Sequence, residues 1–295
     1  MVPLVGVCVG VVALTAAVTL GGEDSSSSTD NSSTDHNAGV LATAVADPGS
    51  RPTPNSCVLM VEGAARTISV PNARTLTQIA AVGWQVKAPP EMAARVLDLA
   101  TAKPGQSVSV TDALDLFTRE DTAAPSVAAV ADLRAVTQPG GLTCVFGPPA
   151  VPAEAKGKSG LTPRTDAVRQ GVVDAFGKLT MNGFGPKARA ANPAAAAGRA
   201  IDVTVPATFS TEASAGWVLA HWLTARGGDY KLDAITYLDR VWAPTSGWQT
   251  ATPDQALAAP ARPGRVFASV APGTAKATKA ADTKKSSAKK TKKKG

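Results

Sequence analysis

Apolar residues recur at helical spacing through residues 72–133. The central segment, PPEMAARVLDLATA, carries four apolar residues on one helical face: Met92, Val96, Leu97 and Ala100. Its two prolines are typical of the first turn of a helix. The segments ARTLTQIAAVGWQV and VTDALDLFTRED predict a helix on either side, the later one capped by Thr111. We therefore expect residues 52–147 to form a small helical region.

A second region mixes helix and strand patterns, and it follows a linker rich in Pro, Gly and Lys at residues 148–160. Helical spacing predicts helices over residues 165–176 and 214–225. Apolar and β-branched runs predict three strands, over residues 200–205, 234–242 and 265–270. Helices packed on a small antiparallel sheet make residues 161–272 an α+β domain, so the predicted fold class of the chain is α+β.

The chain begins with an apolar stretch that carries no charged residue before Glu23. Nineteen residues, 2–20, are long enough to span a bilayer. We interpret residues 1–22 as a transmembrane or signal segment. An anchored, outward-facing protein is favoured over a secreted or cell-wall protein, because no basic segment precedes the stretch and no good cleavage site follows it. A start codon placed after a basic leader would explain the missing charges equally well. Residues 23–51 are rich in Ser, Thr and Asp and predict a disordered linker.

Charge is concentrated at the other end of the chain, where residues 273–295 hold nine lysines and one aspartate. The net charge of the whole chain is +7, so this tail contributes +8 and the remainder −1. The tail has almost no large apolar side chain and is predicted to be disordered. It is either a solubilising tail or an adhesive for a polyanion. For an exported protein that polyanion is an anionic wall polymer or a lipid headgroup, and only for a cytosolic protein would it be nucleic acid.

Cysteine usage agrees with export. Cys8 lies in the apolar segment, which leaves Cys57 and Cys144 to pair outside the membrane. We expect these two cysteines to form a disulfide.

Histidine is too rare for a typical zinc enzyme. Catalytic zinc usually takes three protein ligands and leaves one position for water. The chain has two histidines, His36 in the predicted linker and His221 in a predicted helix. We expect His221 to be a structural imidazole, and we predict no metal site and no cofactor.

The segment GRAID, residues 198–202, and the downstream segment VLAHWLTARGGDYKLDAITYLDRVW resemble a known family when they are taken with Trp242 and Trp248. The family is the C-terminal domain of secreted actinobacterial proteins related to the D-alanyl-D-alanine carboxypeptidase and Hedgehog-type zinc peptidases. Its pattern H-x-x-G-x-A-x-D and a closing H-x-H strand hold zinc. Here the resemblance keeps Asp202 but places Ala195 and Phe267 where the family has histidines. It implies a retained fold without the metal chemistry.

Without a metal, Asp202 is expected to form an ion pair or hydrogen bond with Arg199, Arg240 or Arg265. Most of the tryptophans are expected in the core. Trp248 lies in an SGWQ segment that is predicted to be a loop. Its indole is expected to line the vestigial cleft that remains where the family has its zinc site, and to stack there on a sugar. The predicted ligand-binding residues of this vestigial cleft are Arg199, Asp202 and Trp248.

Residues 72–133 show a weaker resemblance to the lysozyme-like region of transglycosylases in related wall proteins. There an alanine-rich helix runs into a Gln-Glu-Ser motif whose glutamate is the general acid. This chain reads AKPGQS at residues 102–107, without a carboxylate. The nearby acidic residues are expected to be solvated helix charges: Asp112, Asp115, Glu120 and Asp121.

These patterns predict a noncatalytic cell-envelope protein, a pseudo-hydrolase that binds or organises peptidoglycan or a partner hydrolase. Its expected partners are peptidoglycan or an anionic wall polymer, and the membrane through the first segment, rather than nucleic acid. Two alternatives stay open. One is an active peptidoglycan hydrolase with unrecognised catalytic residues, and the other is a structural exported domain that acts through its polycationic tail.

Overall fold

The fold belongs to the α+β class, as the sequence predicts. A computed structural model describes residues 44–45, 52–102, 107–119, 123–182, 192–206, 212–253 and 264–274. These residues all lie in one compact unit, 37–295. Among them, eight helices pack with two antiparallel sheets. The first apolar segment, most of the predicted linker and almost all of the lysine tail lie outside the described residues. In the described part, no helix is long and apolar enough to cross a membrane.

The smaller sheet has the strand order β1-β3-β2-β4. Its strands are β1 Ala44–Val45, β2 Ser56–Val61, β3 Ala64–Ser69 and β4 Leu142–Val145. The sequence analysis missed these strands. A two-residue turn, Glu62 and Gly63, joins β2 to β3, and both residues have positive φ, 51° and 85°. Tight hairpin loops require that conformation, so a Glu-Gly pair between two apolar runs was the available signal.

Four helices lie between β3 and β4; the sequence analysis predicts the first three and misses the fourth. They are α1 Val70–Gln85, α2 Pro90–Thr101, α3 Val110–Phe117 and α4 Val127–Ala135. The predicted core face of α2 is confirmed, because Val96 and Leu97 are buried and Met92 packs against the core. The predicted cap Thr111 is wrong. Ser109 caps α3 by accepting a hydrogen bond from the Asp112 N–H, and Thr111 already lies in the first turn.

The larger sheet has the strand order β5-β6-β10-β7-β8-β9, with every neighbouring pair antiparallel. Its strands are β5 Thr180–Asn182, β6 Ala200–Thr204, β7 Leu232–Tyr237, β8 Arg240–Ala243, β9 Gly247–Thr250 and β10 Arg265–Val270. The single strand predicted over 234–242 is wrong, because the chain reverses at Leu238, where φ is 52°. The loop predicted for the SGWQ segment is also wrong, because Gly247, Trp248 and Gln249 belong to β9 and pair with β8.

The remaining helices are α5 Pro163–Phe176, α6 Pro193–Ala196, α7 Glu212–Ala225 and α8 Gly227–Tyr230. Helix α7 lies at the centre of the unit. It contacts α1 on one side and strands β4, β7 and β10 on others, and residues 217–225 are all buried. One hydrophobic cluster therefore contains residues of both predicted regions, 52–147 and 161–272.

The predicted disulfide between Cys57 and Cys144 is confirmed. The two cysteines are direct partners in the register of β2 with β4, and both are buried. Beside this disulfide the Trp242 indole donates to the Cys144 carbonyl oxygen at 2.8 Å. The Phe146 N–H donates to the Pro244 carbonyl oxygen at 2.6 Å. These bonds attach β4 to the β8–β9 end of the larger sheet.

Candidate functional site

Asp202 lies on β6 and forms a two-point ion pair with Arg265 of β10. The Arg265 Nε donates to Asp202 Oδ1 at 2.9 Å, and Arg265 Nη2 donates to Oδ2. Each side chain is 26 % exposed. Of the three arginines predicted as partners, Arg265 is therefore the correct one. Arg199 donates to the Val270 carbonyl oxygen at 2.9 Å, and Arg240 lies 3.8 Å from the Asp239 carboxylate.

Two positions for which the family resemblance implies metal ligands lie near this ion pair. Phe267 is the direct partner of Asp202 in the register of β10 with β6. Ala195 is buried in α6, and α6 contacts both of these strands. A phenyl ring and a methyl group cannot coordinate a metal. Among the described residues, no group of three or more His, Cys, Asp or Glu side chains is placed to hold a metal ion. The residues present here do not fit zinc.

Trp248 is placed far from Asp202 in the larger sheet. Strands β10, β7 and β8 lie between β6 and β9, a separation of about 19 Å at the usual spacing of strands. The Trp248 indole is half-buried, lies 5.1 Å from the Trp217 ring and donates its N–H to the Leu142 carbonyl oxygen at 3.1 Å. The structure places Arg199 and Asp202 on or beside β6 and does not bring Trp248 to them. A ligand touching both places would have to span the sheet.

His221 is a fully buried structural imidazole, as the sequence analysis expects. Its Nδ1 lies 2.9 Å from the Val136 carbonyl oxygen, and its Nε2 accepts from the Leu142 N–H at 3.4 Å. These partners fix the neutral tautomer with the proton on Nδ1. Burial lowers the pKa of His221 from 6.5 to about 4, although the bond to Val136 acts in the opposite direction. The ring also stacks on Trp217 at 5.2 Å. His221 thus joins α7 to the segment between α4 and β4.

Among the described residues, the acidic side chains near the segment that resembles transglycosylases form no acid–base pair. Asp112 and Asp115 are exposed on α3, and Asp112 accepts a hydrogen bond from the cap Ser109. Glu120 and Asp121 lie outside the described residues. The arrangement in the described part is that of solvated helix charges.

Comparison with known families gives one match, to the family model described as VldE, C-terminal domain, over residues 157–257. The matched range includes Ala195, Asp202 and Trp248 and ends before β10, which carries Arg265 and Phe267. Comparisons of the chain with curated proteins and with solved structures found no match.

Proposed function

We propose that this protein is a noncatalytic component of the cell envelope, a pseudo-hydrolase that binds or organises peptidoglycan or a partner hydrolase. The observation that carries the proposal is the ion pair of Asp202 with Arg265. Asp202 is the one ligand-type side chain that the resemblance to zinc peptidases retains. In this chain both of its carboxylate oxygens are engaged by a guanidinium group.

The ion pair argues against catalysis on electrostatic grounds. A carboxylate that binds a metal needs a free lone pair directed at the cation. A two-point guanidinium pair uses both oxygens and holds a positive charge at the place where a cation would approach. Phe267, directly opposite Asp202, adds an apolar ring. The relation to the D-alanyl-D-alanine carboxypeptidase and Hedgehog-type fold is itself part of the proposal.

Two features support the envelope as the location. Disulfides persist in oxidising compartments, and the cysteines of the bond between Cys57 and Cys144 are buried in the fold. The lysine tail, with its charge of +8, would add electrostatic adhesion to an anionic wall polymer or to lipid headgroups.

The test is sedimentation with purified peptidoglycan, using the compact unit, residues 37–295, and the same unit ending at residue 275. The shorter chain keeps Thr274, whose backbone bonds with Val151 and Ala153 close the end of the fold, and it loses all nine tail lysines. We expect the shorter chain to sediment at moderate salt and to release no soluble fragments. A shorter chain that stays in the supernatant would make the tail the functional element. Release of fragments would reveal an enzyme.

Trp248 needs a graded test, because its ring is also structural. Trp248→Ala removes both the ring contact with Trp217 and the bond to Leu142, whereas Trp248→Phe keeps a ring. If Trp248 stacks on a sugar, Trp248→Ala weakens sedimentation and Trp248→Phe largely restores it. Equal sedimentation of a folded Trp248→Ala variant would remove Trp248 from the proposed site.

The family relation is tested by rebuilding the metal site. We expect the variant that combines Ala195→His, Phe267→His and Arg265→Leu to bind zinc, because it supplies two imidazoles and frees the Asp202 carboxylate. The matched control adds Asp202→Ala. A folded rebuilt variant that binds no more zinc than this control would contradict the peptidase relation, and it would leave the sedimentation result to decide wall binding.

A further inference from the structure

A grid of six side chains lies at one corner of the larger sheet, on strands β5, β6 and β10. The strand register arranges them in two rows, which run Asn182, Asp202, Phe267 and Thr180, Thr204, Arg265. Successive residues of a strand point to opposite faces, so all six side chains share one face of the sheet. At the usual strand spacings the grid measures about 10 Å by 7 Å, which is close to the footprint of a disaccharide.

A ligand can reach the side chains of this grid. Thr180 and Asn182 are exposed, and the other four are half-buried. The opposite face of the same strands is packed inside the molecule, where Val203 and Val266 belong to the hydrophobic cluster. The grid is therefore a surface feature of the larger sheet, three strands wide.

The ion pair of Asp202 with Arg265 gives the grid hydrogen-bonding groups without net charge. A carboxylate offers about four lone-pair sites and a guanidinium group five N–H donors. Among the described residues, the bonds between these two side chains use two of each. Each side chain is 26 % exposed, so the remaining groups are accessible. A neutral ligand with several hydroxyl groups matches this pair, because an ionic ligand would be attracted by one charge and repelled by the other.

Phe267 separates the grid from a polar surface that is merely hydrated. Water satisfies hydroxyl, amide and ionic groups, but it does not satisfy an aromatic ring. Phe267 is half-buried, and in the described part of the chain neither the hydrophobic cluster nor the side chains packed on it include this residue. Exposed apolar area costs about 25 cal/mol per Å², so covering the ring is favourable. The face of an aromatic ring is negative and attracts the weakly positive C–H groups of a sugar.

We propose that the grid binds the neutral sugar units of the peptidoglycan glycan strand. The C–H face of one sugar stacks on Phe267, and its hydroxyl groups bond to Asp202 and Arg265. The acetamido group of a sugar has a donor and an acceptor, and the exposed amide of Asn182 offers both in return. The inference rests on the proposed function and narrows it, because it assigns binding to the glycan and not to the peptide. It also assigns the stacking ring to Phe267, since Trp248 lies four strands away from Asp202.

Chitotriose, the neutral trimer of N-acetylglucosamine, is the probe for the test. Its affinity for the compact unit ending at residue 275 is measured by NMR titration. One comparison ligand is the glucosamine trimer, in which ammonium groups replace the acetamido groups. The other is a short peptide ending in D-alanyl-D-alanine, which carries a carboxylate. We expect chitotriose to bind and each charged ligand to bind at least about fivefold more weakly, the loss typical of one hydrogen bond.

The outcomes separate this inference from the proposed function. Tighter binding of either charged ligand than of chitotriose would overturn the assignment to neutral sugars. A chain that sediments with peptidoglycan but does not bind chitotriose would overturn this inference alone. A chain that does neither would overturn both.

Three variants locate the binding. Phe267→Leu keeps an apolar side chain but removes the flat ring, so it should weaken chitotriose binding at least about fivefold, whereas Phe267→Tyr should retain it. Asn182→Ala should also weaken binding, and because Asn182 is exposed this variant carries little risk to the fold. The control is Gln249→Ala, an exposed residue in the same cross-strand row at the other edge of the sheet, which should change nothing. Undiminished binding by both Phe267→Leu and Asn182→Ala would contradict the assignment to this grid.

Discussion

The guanidinium of Arg265 reaches the carboxylate of Asp202 diagonally across two neighbouring strands. In the register of β6 with β10, Arg265 is paired with Thr204 and Asp202 with Phe267. Alternate residues of a strand share a face, so Arg265 and Asp202 lie on the same side of the sheet. The long arginine side chain covers the offset of two residues. This register, more than the residue types alone, decides which arginine Asp202 binds.

Arg265→Met is expected to lower the free energy of unfolding by about 1 kcal/mol, because the pair is partly exposed and water screens the charges. Urea unfolding of Arg265→Met, Asp202→Asn and the double variant measures the coupling energy between the two side chains. Arg240→Met is the control, since Arg240 lies 3.8 Å from an exposed aspartate. The pair contributes nothing if Arg265→Met is as harmless as this control.

Acid is expected to destabilise the protein through His221. The folded-state pKa of about 4 lies below the unfolded value near 6.5, so the unfolded state binds more protons between these pH values. The contribution of His221 is fully present above pH 6.5 and is lost as the pH falls towards 4, by about 3 kcal/mol in all. The physical cause is burial, which disfavours the charged imidazole, and a protonated Nε2 would also face the Leu142 N–H, which is itself a donor.

The measurement is urea unfolding at several pH values between 4 and 7, for the wild type and His221→Gln. Burial raises the pKa of Asp132, although its partner Arg66 opposes the shift, and this contributes with the opposite sign. Subtracting the profile of His221→Gln removes that contribution. A difference between the two proteins that does not change with pH would contradict the prediction.

Loss of the disulfide is expected to destabilise the fold strongly. The bond closes a loop with a sequence separation of 87 residues, for which chain entropy predicts about 4–5 kcal/mol. Cys57→Ala with Cys144→Ala should lower the free energy of unfolding by that amount. Dithiothreitol should lower the melting temperature of the wild type and leave that of the double variant unchanged. An equal response of both proteins would show that the bond does not form.

Gly216 is expected to tolerate no side chain, because α7 presses on β7 at this residue. A Cβ atom there would lie 2.0 Å from Tyr237 Cζ, and Tyr237 is fully buried. Gly216→Ala should therefore cost about 2–3 kcal/mol in thermal or urea unfolding. Gly147→Ala is the matched control, since its Cβ would meet no atom within 4 Å. Similar stability of the two variants would be inconsistent with this packing.

Local patterns in the sequence were enough for most of the helices and for the closing strand. The predicted helix over residues 165–176 and the strand over 265–270 correspond to α5 and β10. The hairpin between β7 and β8 was missed, because AITYLDRVW has uninterrupted strand character. Its turn depends on a leucine with positive φ, which residue propensities do not indicate. The disulfide followed from counting cysteines, and the facing positions of Cys57 and Cys144 in β2 and β4 confirm it.

The sequence by itself determined the α+β class, the cysteine pair and the scarcity of histidines that could bind a metal. These depend on local spacing and on composition. Tertiary structure alone selected Arg265 as the partner of Asp202 and placed Trp248 four strands away. It also brought Gln78 and Arg226, which are 148 residues apart in the chain, to a hydrogen-bond distance of 2.6 Å. Such contacts depend on how helices and strands that are distant in sequence pack together. No local pattern of hydrophobic and polar residues encodes that packing.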